Sequence, residues 1–141
     1  MATEFNAVYG CFLGKVTDTD LSDMTETEAN GVMYDLLKYG VVIFGESCKK
    51  DLSAVTATGW EDDLSDYEIE ILAELMVEAW YKPRVNFNEL LRNQLSTKDF
   101  TTFSPANLHK ENREAYESAH KRARSMINEY SFRNNNIGEL R

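Results

Sequence analysis

Apolar residues recur at spacings of three and four along most of this chain, which predicts amphipathic helices rather than strands. The first such segment covers 4–16 and contains two glycines, each of which lowers helicity by about 1 kcal/mol relative to alanine. A second helix is predicted to begin near Thr25, where Glu28 offers a capping box. The β-branched run at 41–43 is interpreted as its continuation because no partner strand is evident. The pattern favours an all-α fold.

The clearest helix start lies at Ser65, with Glu68 three residues later. In this capping box the Ser65 hydroxyl accepts from the backbone N–H near Glu68, whose carboxylate reaches back to the Ser65 N–H. The helix is predicted to cover 66–82. Pro83 is expected to stop or kink it because proline lacks a backbone N–H, and a shorter helix is predicted over 85–95.

One face of this helix is unusually wide and apolar. Its members are Ile69, Ile71, Leu72, Leu75, Met76, Ala79 and Trp80. They cover an arc of roughly 200 degrees, against the ~100 degrees that one neighbouring core requires. We therefore expect more than one neighbour, either in the same subunit or in another.

The C-terminal part of the chain predicts a long helix. Ser104 is a suitable N-cap, and Pro105 fits the first helical position because its missing N–H has no partner there. The predicted helix covers 105–130, about seven turns. Three alanines, Ala115, Ala119 and Ala123, form a seam that allows another backbone to approach closely. The seam favours intimate helix–helix packing.

A polar segment at 46–63 separates the helical regions and contains one tryptophan, Trp60, which is expected to anchor it to the core or to a neighbour. The predicted organisation is a small bundle of four to five helices over 1–133, followed by an extended tail at 134–141. A length of 141 residues suits one domain.

Charge and composition narrow the classes of function. The net charge is −9, yet residues 105–141 are weakly basic. An acidic body disfavours nucleic-acid binding as the main task, because that binding depends on neutralising phosphates with Lys and Arg. No apolar run is long enough to span a bilayer, and the N-terminus lacks the pattern of a signal peptide, so we expect no membrane association and no secretion.

Sequence motifs for catalysis, cofactors or metals are weak. Cys11 and Cys48 have neither metal-site spacing nor a disulfide framework, and His109 and His120 lie about 16 Å apart on one predicted helix. Carboxylates four residues apart, Glu70, Glu74 and Glu78, suit Mg²⁺ in an all-α nucleotide hydrolase. No second acidic stripe is evident, so a solvated face is the preferred interpretation. We expect no enzyme activity, cofactor or metal.

Several segments together resemble the head-tail connector (adaptor) proteins of tailed bacteriophages that infect Gram-positive hosts. They are CKKDLS at 48–53, DLSDYEIEILAELMVEAWYKP at 63–83, STKDF at 96–100, FSPAN at 103–107 and INEYSF at 127–132. Their order and spacing resemble that family over most of the chain, except in residues 1–45 and beyond Asn134.

The resemblance implies a helical subunit that is made in the host cytoplasm and becomes part of the virion neck. There it would form a homo-oligomeric ring, dodecameric in the family, between the portal protein and the stopper or tail-completion protein. DNA would pass through the ring without specific binding. The implied portal-binding residues are Tyr130, Ser131, Phe132, Arg133, Ile137 and Leu140.

A ring assembled head to tail needs two different patches on each subunit, which agrees with the wide apolar face. The candidate subunit-interface residues are Trp60, Ile71, Leu75, Trp80, Ala115, Ala119 and Ala123. Two alternatives remain open from the sequence. One is a helical regulator or inhibitor that binds a single protein partner, and the other is the Mg²⁺-dependent nucleotide hydrolase.

Overall fold

The computed structural model describes residues 3–16, 24–94 and 106–134. Within them lie four helices: α1 (Phe5–Leu13), α2 (Glu26–Phe44), α3 (Asp66–Gln94) and α4 (Ala106–Asn134). The described residues form isolated β-bridges but no strand. The prediction of a small all-α bundle with a long C-terminal helix is confirmed.

Helix α3 is the centre of the bundle, because α1, α2 and α4 each pack extensively against it. Its middle section is buried on nearly every side, from Ile71 through Glu78. The expectation of several neighbours is thus met by three helices of the same chain. The width of the apolar face on α3 is accounted for inside one subunit.

Two of the predicted helix starts have the expected side-chain caps. At α3 the Ser65 Oγ accepts from the Glu68 N–H at 3.2 Å, and a Glu68 carboxylate oxygen accepts from the Ser65 N–H at 2.7 Å. At α2 the Thr25 hydroxyl accepts from the Glu28 N–H at 3.2 Å. These local bonds satisfy backbone donors that have no partner within the helix.

The prediction that Pro83 separates two helices is wrong, because α3 continues through it to Gln94. Proline in a helix interior removes one backbone hydrogen bond and costs about 3 kcal/mol. Arg84 supplies another donor at this turn: its guanidinium donates to the Trp80 carbonyl oxygen at 2.8 Å and lies over the Trp80 ring. Packing of α3 against three helices supplies the remaining compensation.

The β-branched run at 41–43 is helical, as predicted, and ends α2. Just before it, Gly40 is buried where α2 crosses α3. A Cβ atom at Gly40 would lie 3.3 Å from the Leu75 Cβ, tighter than most such contacts. Glycine at this position lets the two helices approach closely.

The segment at 46–63 is anchored by Trp60, as predicted, and the anchor lies in the core of the same chain. Trp60 is fully buried, and its ring meets that of Phe5 edge to face at 4.8 Å. Backbone bonds tie this segment to the N-terminus, since the Trp60 N–H donates to Thr3 and the Phe5 N–H donates to Thr58. A Cβ atom at Gly59 would lie 2.2 Å from the Thr3 carbonyl oxygen, so only glycine fits there.

Helix α4 extends to Asn134, four residues beyond its predicted end at Tyr130. The predicted start signal, Ser104 followed by Pro105, lies outside the described residues, and so do residues 135–141 of the predicted tail.

Candidate functional site

Six of the seven candidate interface residues are buried within the subunit rather than displayed on its surface. They are Trp60, Ile71, Leu75, Trp80, Ala119 and Ala123. The seventh, Ala115, is partly exposed. Within the subunit these six side chains are covered by their own chain, and their contact with another copy stays a prediction. Their apolar spacing correctly signalled burial, but the covering surface belongs to their own chain.

The candidate portal-binding residues differ in how exposed they are. Tyr130 is buried and belongs to the core, whereas Phe132 and Arg133 are exposed, with Phe132 65% accessible. Ser131 is half-buried. Ile137 and Leu140 lie outside the described residues. A direct portal contact by Tyr130 is inconsistent with its burial, while Phe132 and Arg133 are accessible.

Tyr130 fixes the last turns of α4 to the rest of the subunit. Its hydroxyl donates to the Glu68 carboxylate at 2.6 Å and accepts from the Lys49 backbone N–H at 2.9 Å. Its ring packs edge to face on Phe44 at 5.0 Å and stacks on Tyr67 at 6.4 Å. One side chain therefore joins α4 to α2, α3 and the 46–63 segment.

Glu68 is the acceptor at the centre of this cluster, and only 2% of it is exposed. Besides Tyr130 and Ser65, its carboxylate accepts from the Lys50 ammonium at 3.1 Å and from the Cys48 thiol at 3.4 Å. Burial alone would raise the pKa of Glu68, but the hydrogen bonds from these donors outweigh it and lower the pKa to about 2. Glu68 is therefore a fixed anion at neutral pH.

A second cluster of side chains, nearer the surface, supports the exposed residues beyond Tyr130. The Tyr67 hydroxyl donates to a Glu129 carboxylate oxygen at 3.1 Å, and Arg133 pairs with the other oxygen at 2.6 Å. The Arg133 guanidinium also lies over the Tyr67 ring, 5.3 Å from its centre. These contacts hold the turn that carries Phe132, so an exposed aromatic side chain lies on an ordered helix end.

The acidic stripe on α3 is not the solvated face that the sequence favoured. Glu74 and Glu78 are buried, and Glu70 is partly covered. Lys15, at the end of the α1 region, pairs with Glu70 and with Glu74, the latter at 3.0 Å. From α4, the Arg122 Nε lies 3.1 Å from the same Glu74 oxygen. Two cations on different elements therefore neutralise this part of the stripe.

Glu78 forms the far end of the same interface. Its carboxylate contacts the His120 Nδ1 and the Arg124 guanidinium, the latter at 3.3 Å, and both partners come from α4. Tyr39 of α2 lies nearby: burial, together with the charge of Glu78, raises its pKa. Arg122 and Arg124 of α4 thus pair with glutamates of α3 across the helix interface.

These pairs leave the glutamates poorly suited to a metal ion. Each carboxylate already accepts from cationic groups, and no cluster suited to a metal is found among the described residues. A cleft of about 300 Å³ lies between α1, α3 and α4, lined in part by Lys15, Glu74, Tyr81, Ser118 and Arg122. The charged side chains that line the cleft already form ion pairs with one another.

Both cysteines are free and adjoin this network. Burial and a hydrogen bond to Glu70 raise the pKa of the Cys11 thiol to about 11. Burial also raises the pKa of the Cys48 thiol to about 11, and the charge of Glu68 adds to the effect. Both thiols are half-buried and stay protonated at neutral pH.

The sequence analysis missed the partners of the glutamate stripe. One signal was present: Glu70, Glu74 and Glu78 border a broad apolar arc, and Arg122 and Arg124 flank the alanine seam of α4. Acidic and basic stripes beside two apolar seams are what a polar helix–helix interface requires.

Large exposed apolar side chains are few among the described residues; they are Leu13, Tyr34, Val42, Val55 and Phe132.

Comparison with known proteins adds no family assignment. A scan of family models and searches of curated proteins and of solved structures gave no significant match to this chain. No helix within the described residues is long and apolar enough to cross a membrane.

Proposed function

We propose that this chain is a structural virion protein, a head-tail connector that forms a ring beneath the portal vertex. The proposal starts from the sequence resemblance at 48–53, 63–83, 96–100, 103–107 and 127–132. It assigns the protein no catalytic role and no cofactor. The ring, twelvefold in the family, would extend the DNA channel from the portal protein toward the stopper or tail-completion protein in the virion neck.

The observation that carries the proposal is the contrast between Tyr130 and the residues that follow it. Tyr130 is buried and bonded to Glu68, whereas Phe132 and Arg133 reach solvent one turn or less later. A portal-binding arm needs a rigid departure point followed by accessible apolar and basic groups. Phe132 and Arg133, continued by Ile137 and Leu140, would supply those groups.

The surface charge fits passage of DNA without binding. Residues 1–104 contain 8 basic and 19 acidic residues, a balance of −11. The cations of α4 nearest the core, Arg122 and Arg124, are paired with buried glutamates. An acidic channel wall would repel DNA phosphates and lower friction during packaging and ejection.

The contact between ring subunits would involve the exposed apolar side chains rather than the buried ones. Val42 on α2 is 76% accessible, and Tyr34 lies on α2 two turns earlier. Leu13 and Val55 are also accessible. Substituting the highly exposed Val42 with serine would weaken ring formation and leave the fold of the subunit intact.

Electron microscopy of the purified chain mixed with the portal protein of the same phage tests the proposal. We expect rings stacked on the portal particles. Shortening the chain after Ser131 removes Phe132, Arg133 and the tail, and should abolish stacking while helical circular dichroism stays unchanged. Wild-type protein that shows no association with portal would refute the connector assignment.

One observation favours the alternative of a regulator that binds a single protein partner. The core of the subunit is complete without a second copy, since α3 is covered by three helices of its own chain. Native mass spectrometry separates the two functions. A chain that stays monomeric with or without portal, but is retained by a different protein, would favour the regulator.

A further inference from the structure

The segment between α2 and α3 contains a small antiparallel arrangement of extended backbone. Residues 58–61 lie at its centre, with Glu4 bridged to Gly59 on one side and Val55 bridged to Trp60 on the other. On the first side the chain continues directly into α1. On the second side no further segment is bridged to Val55 among the described residues. That side is therefore a free edge.

The backbone of Val55 points outward from this edge. The next residue, Thr56, bonds inward, because its N–H donates to the Gly59 carbonyl oxygen at 2.7 Å. The preceding residue does the same, since the Ala54 carbonyl oxygen accepts from the Glu61 N–H at 2.9 Å. In an antiparallel pair bonded in this way, the residue between the two bonds directs its own N–H and C=O away from the paired segment. Among the hydrogen bonds of the described residues none uses either group of Val55, and 50% of that residue is accessible.

The composition of this edge leaves it open to pairing. Residues 53–59 have the sequence SAVTATG, which contains three β-branched residues but no charged residue and no proline. Edges that must stay unpaired are usually protected by charges, proline or bulges. An unprotected edge accepts an extended segment of another protein as an added strand, held by main-chain hydrogen bonds.

The residues that flank the edge determine which segment fits. The whole 46–63 segment contains 5 acidic and 2 basic residues, a balance of −3. One of the basic residues, Lys50, is paired with the buried Glu68 at 3.1 Å, whereas Asp51 and Glu61 are exposed. Pairing of two copies edge to edge would bring two negatively charged segments together, which disfavours it. Charge complementarity favours an extended segment that carries Lys or Arg beside an uncharged core.

The segment that carries the edge is also bonded to the end of α4. Its Lys49 N–H donates to the Tyr130 hydroxyl at 2.9 Å. The accessible Phe132 and Arg133 follow Tyr130 within one turn of the same helix. The edge therefore belongs to the same end of the bundle as the accessible residues assigned above to the portal contact.

We propose that this edge is the docking site of one extended segment of the portal protein, which adds as a strand beside Val55 and carries Lys or Arg next to an uncharged core. One carbonyl oxygen of that strand accepts from the Val55 N–H, and one of its N–H groups donates to the Val55 carbonyl oxygen. The inference rests on the proposed connector function and adds the chemistry of the bound segment. It assigns Val55 to the portal contact rather than to the contact between ring subunits.

Val55→Pro tests the main-chain bond, because proline removes the N–H that the added strand needs. The subunit should tolerate the change, since that N–H has no partner within the described residues and edge positions accept proline. Portal affinity, measured by biolayer interferometry, should fall by about tenfold or more, with unchanged helical circular dichroism. Val55→Thr is the matched control, because it keeps the N–H and the β-branched shape and should bind like the wild type. Equal affinity of Val55→Pro and wild type overturns the proposal.

Hydrogen exchange on the wild-type protein gives a readout that needs no variant. The Val55 amide should exchange rapidly in the free subunit and at least about tenfold more slowly with portal bound. The Thr56 amide is the internal control, because it already donates to Gly59 and should change little. A Val55 amide that exchanges equally fast in both states overturns strand addition.

Other occupants of the edge would give different results. Slow exchange at Val55 in the free monomer that becomes fast after residues 135–141 are removed would assign the edge to the chain's own C-terminal segment. A free dimer that Val55→Pro dissociates, detected by native mass spectrometry, would assign it to a second copy. Either result overturns docking of a portal segment.

Glu61→Gln tests the basic character of the bound segment. Its affinity for portal should fall by about twofold and should depend less on salt, because one flanking charge is lost. Glu26→Gln removes an exposed charge from α2 and is the control. Unchanged affinity and salt dependence of Glu61→Gln would refute the basic flank.

Failure of strand addition is distinguishable from failure of the connector function. If the wild-type chain binds no portal protein, both proposals are overturned. If portal binds, but Val55→Pro binds equally well and the Val55 amide still exchanges rapidly in the complex, strand addition alone is overturned.

Discussion

The two ends of the α3–α4 interface hold a buried glutamate in different ways. At one end, Glu68 is surrounded by a tyrosine hydroxyl, a backbone N–H, a thiol and one ammonium group. At the other end, the contacts that the structure describes for Glu78 come from the side chains of His120 and Arg124 on α4, both of which are partly exposed. The first end combines three structural elements, whereas the second depends on α4 alone.

The difference shows which end of the interface depends less on α4. Three of the four donors to Glu68 do not depend on α4, because Ser65, Cys48 and Lys50 all belong to other parts of the chain. Glu78 would be left buried and unpaired if α4 moved, unless an equivalent helix replaced it. We therefore expect the Glu68 end to contribute more to stability than the Glu78 end.

The largest expected effect is that of Glu68→Gln, which removes the charge and keeps the shape. The folded pKa of about 2 lies below the ordinary value of 4.5, so the carboxylate contributes stability that is present above pH 4.5 and lost as the pH falls to 2. We expect the free energy of unfolding to fall by roughly 3 kcal/mol at pH 7. Urea unfolding followed by circular dichroism measures it.

The same experiment at low pH provides its own check. At pH 2 the wild-type Glu68 is about half protonated, so the gap between wild type and Glu68→Gln should become much smaller. Glu70→Gln is the control, because 29% of the Glu70 side chain is exposed and a smaller loss is expected. A gap that stays constant from pH 7 to pH 2 would contradict the assigned role of Glu68.

A smaller loss is expected for Arg124→Met, which leaves Glu78 with His120 as its remaining partner among the contacts described above. Leaving a buried carboxylate short of one donor costs about 1–3 kcal/mol. The matched control is Arg133→Met, whose exposed pair with Glu129 should contribute less than about 1 kcal/mol. Equal thermal unfolding of the two variants would show that the Glu78 end contributes nothing beyond a surface pair.

Tyr130→Phe should have the smallest effect of the three, at the low end of about 1–3 kcal/mol, because the ring still packs on Phe44 and Glu68 keeps its bonds from Ser65, Cys48 and Lys50. Hydrogen exchange should increase at Lys49, whose N–H loses its acceptor. Tyr67→Phe removes a less buried hydroxyl and serves as the control. Unchanged exchange at Lys49 would show that Tyr130 does not tie the 46–63 segment to α4.

The sequence was informative where structure depends on neighbouring residues. The Ser65–Glu68 capping box, the helical β-branched run and the Trp60 anchor were all predictable, because each follows from local bonding or from one large apolar side chain. The prediction that Pro83 ends a helix was wrong because the local cost of proline is outweighed by packing that involves three other helices. Local sequence signals therefore predicted the start of α3 correctly but not its end.

The candidate site was harder to predict for a physical reason. An apolar arc shows that side chains are buried but not which chain buries them, so Ile71, Leu75 and the alanine seam suggested contacts between subunits. Glutamates on a helix indicate solvent unless their partners are known, and the partners of Glu74 and Glu78 lie more than 40 residues away. Contacts at such sequence separation are evident only in the folded chain.

The missing side chain at Gly59 has a consequence for anyone who trims this protein. Because Gly59 has no Cβ atom, its backbone packs closely against Thr3, and backbone hydrogen bonds join residues 3–5 to a segment more than 50 positions later. Cutting the chain just before Phe5 would remove Thr3, whose carbonyl oxygen accepts from the Trp60 N–H and whose hydroxyl accepts from the Leu64 N–H. Deleting the first four residues would therefore loosen the 46–63 segment, although the deletion lies far from it in the sequence.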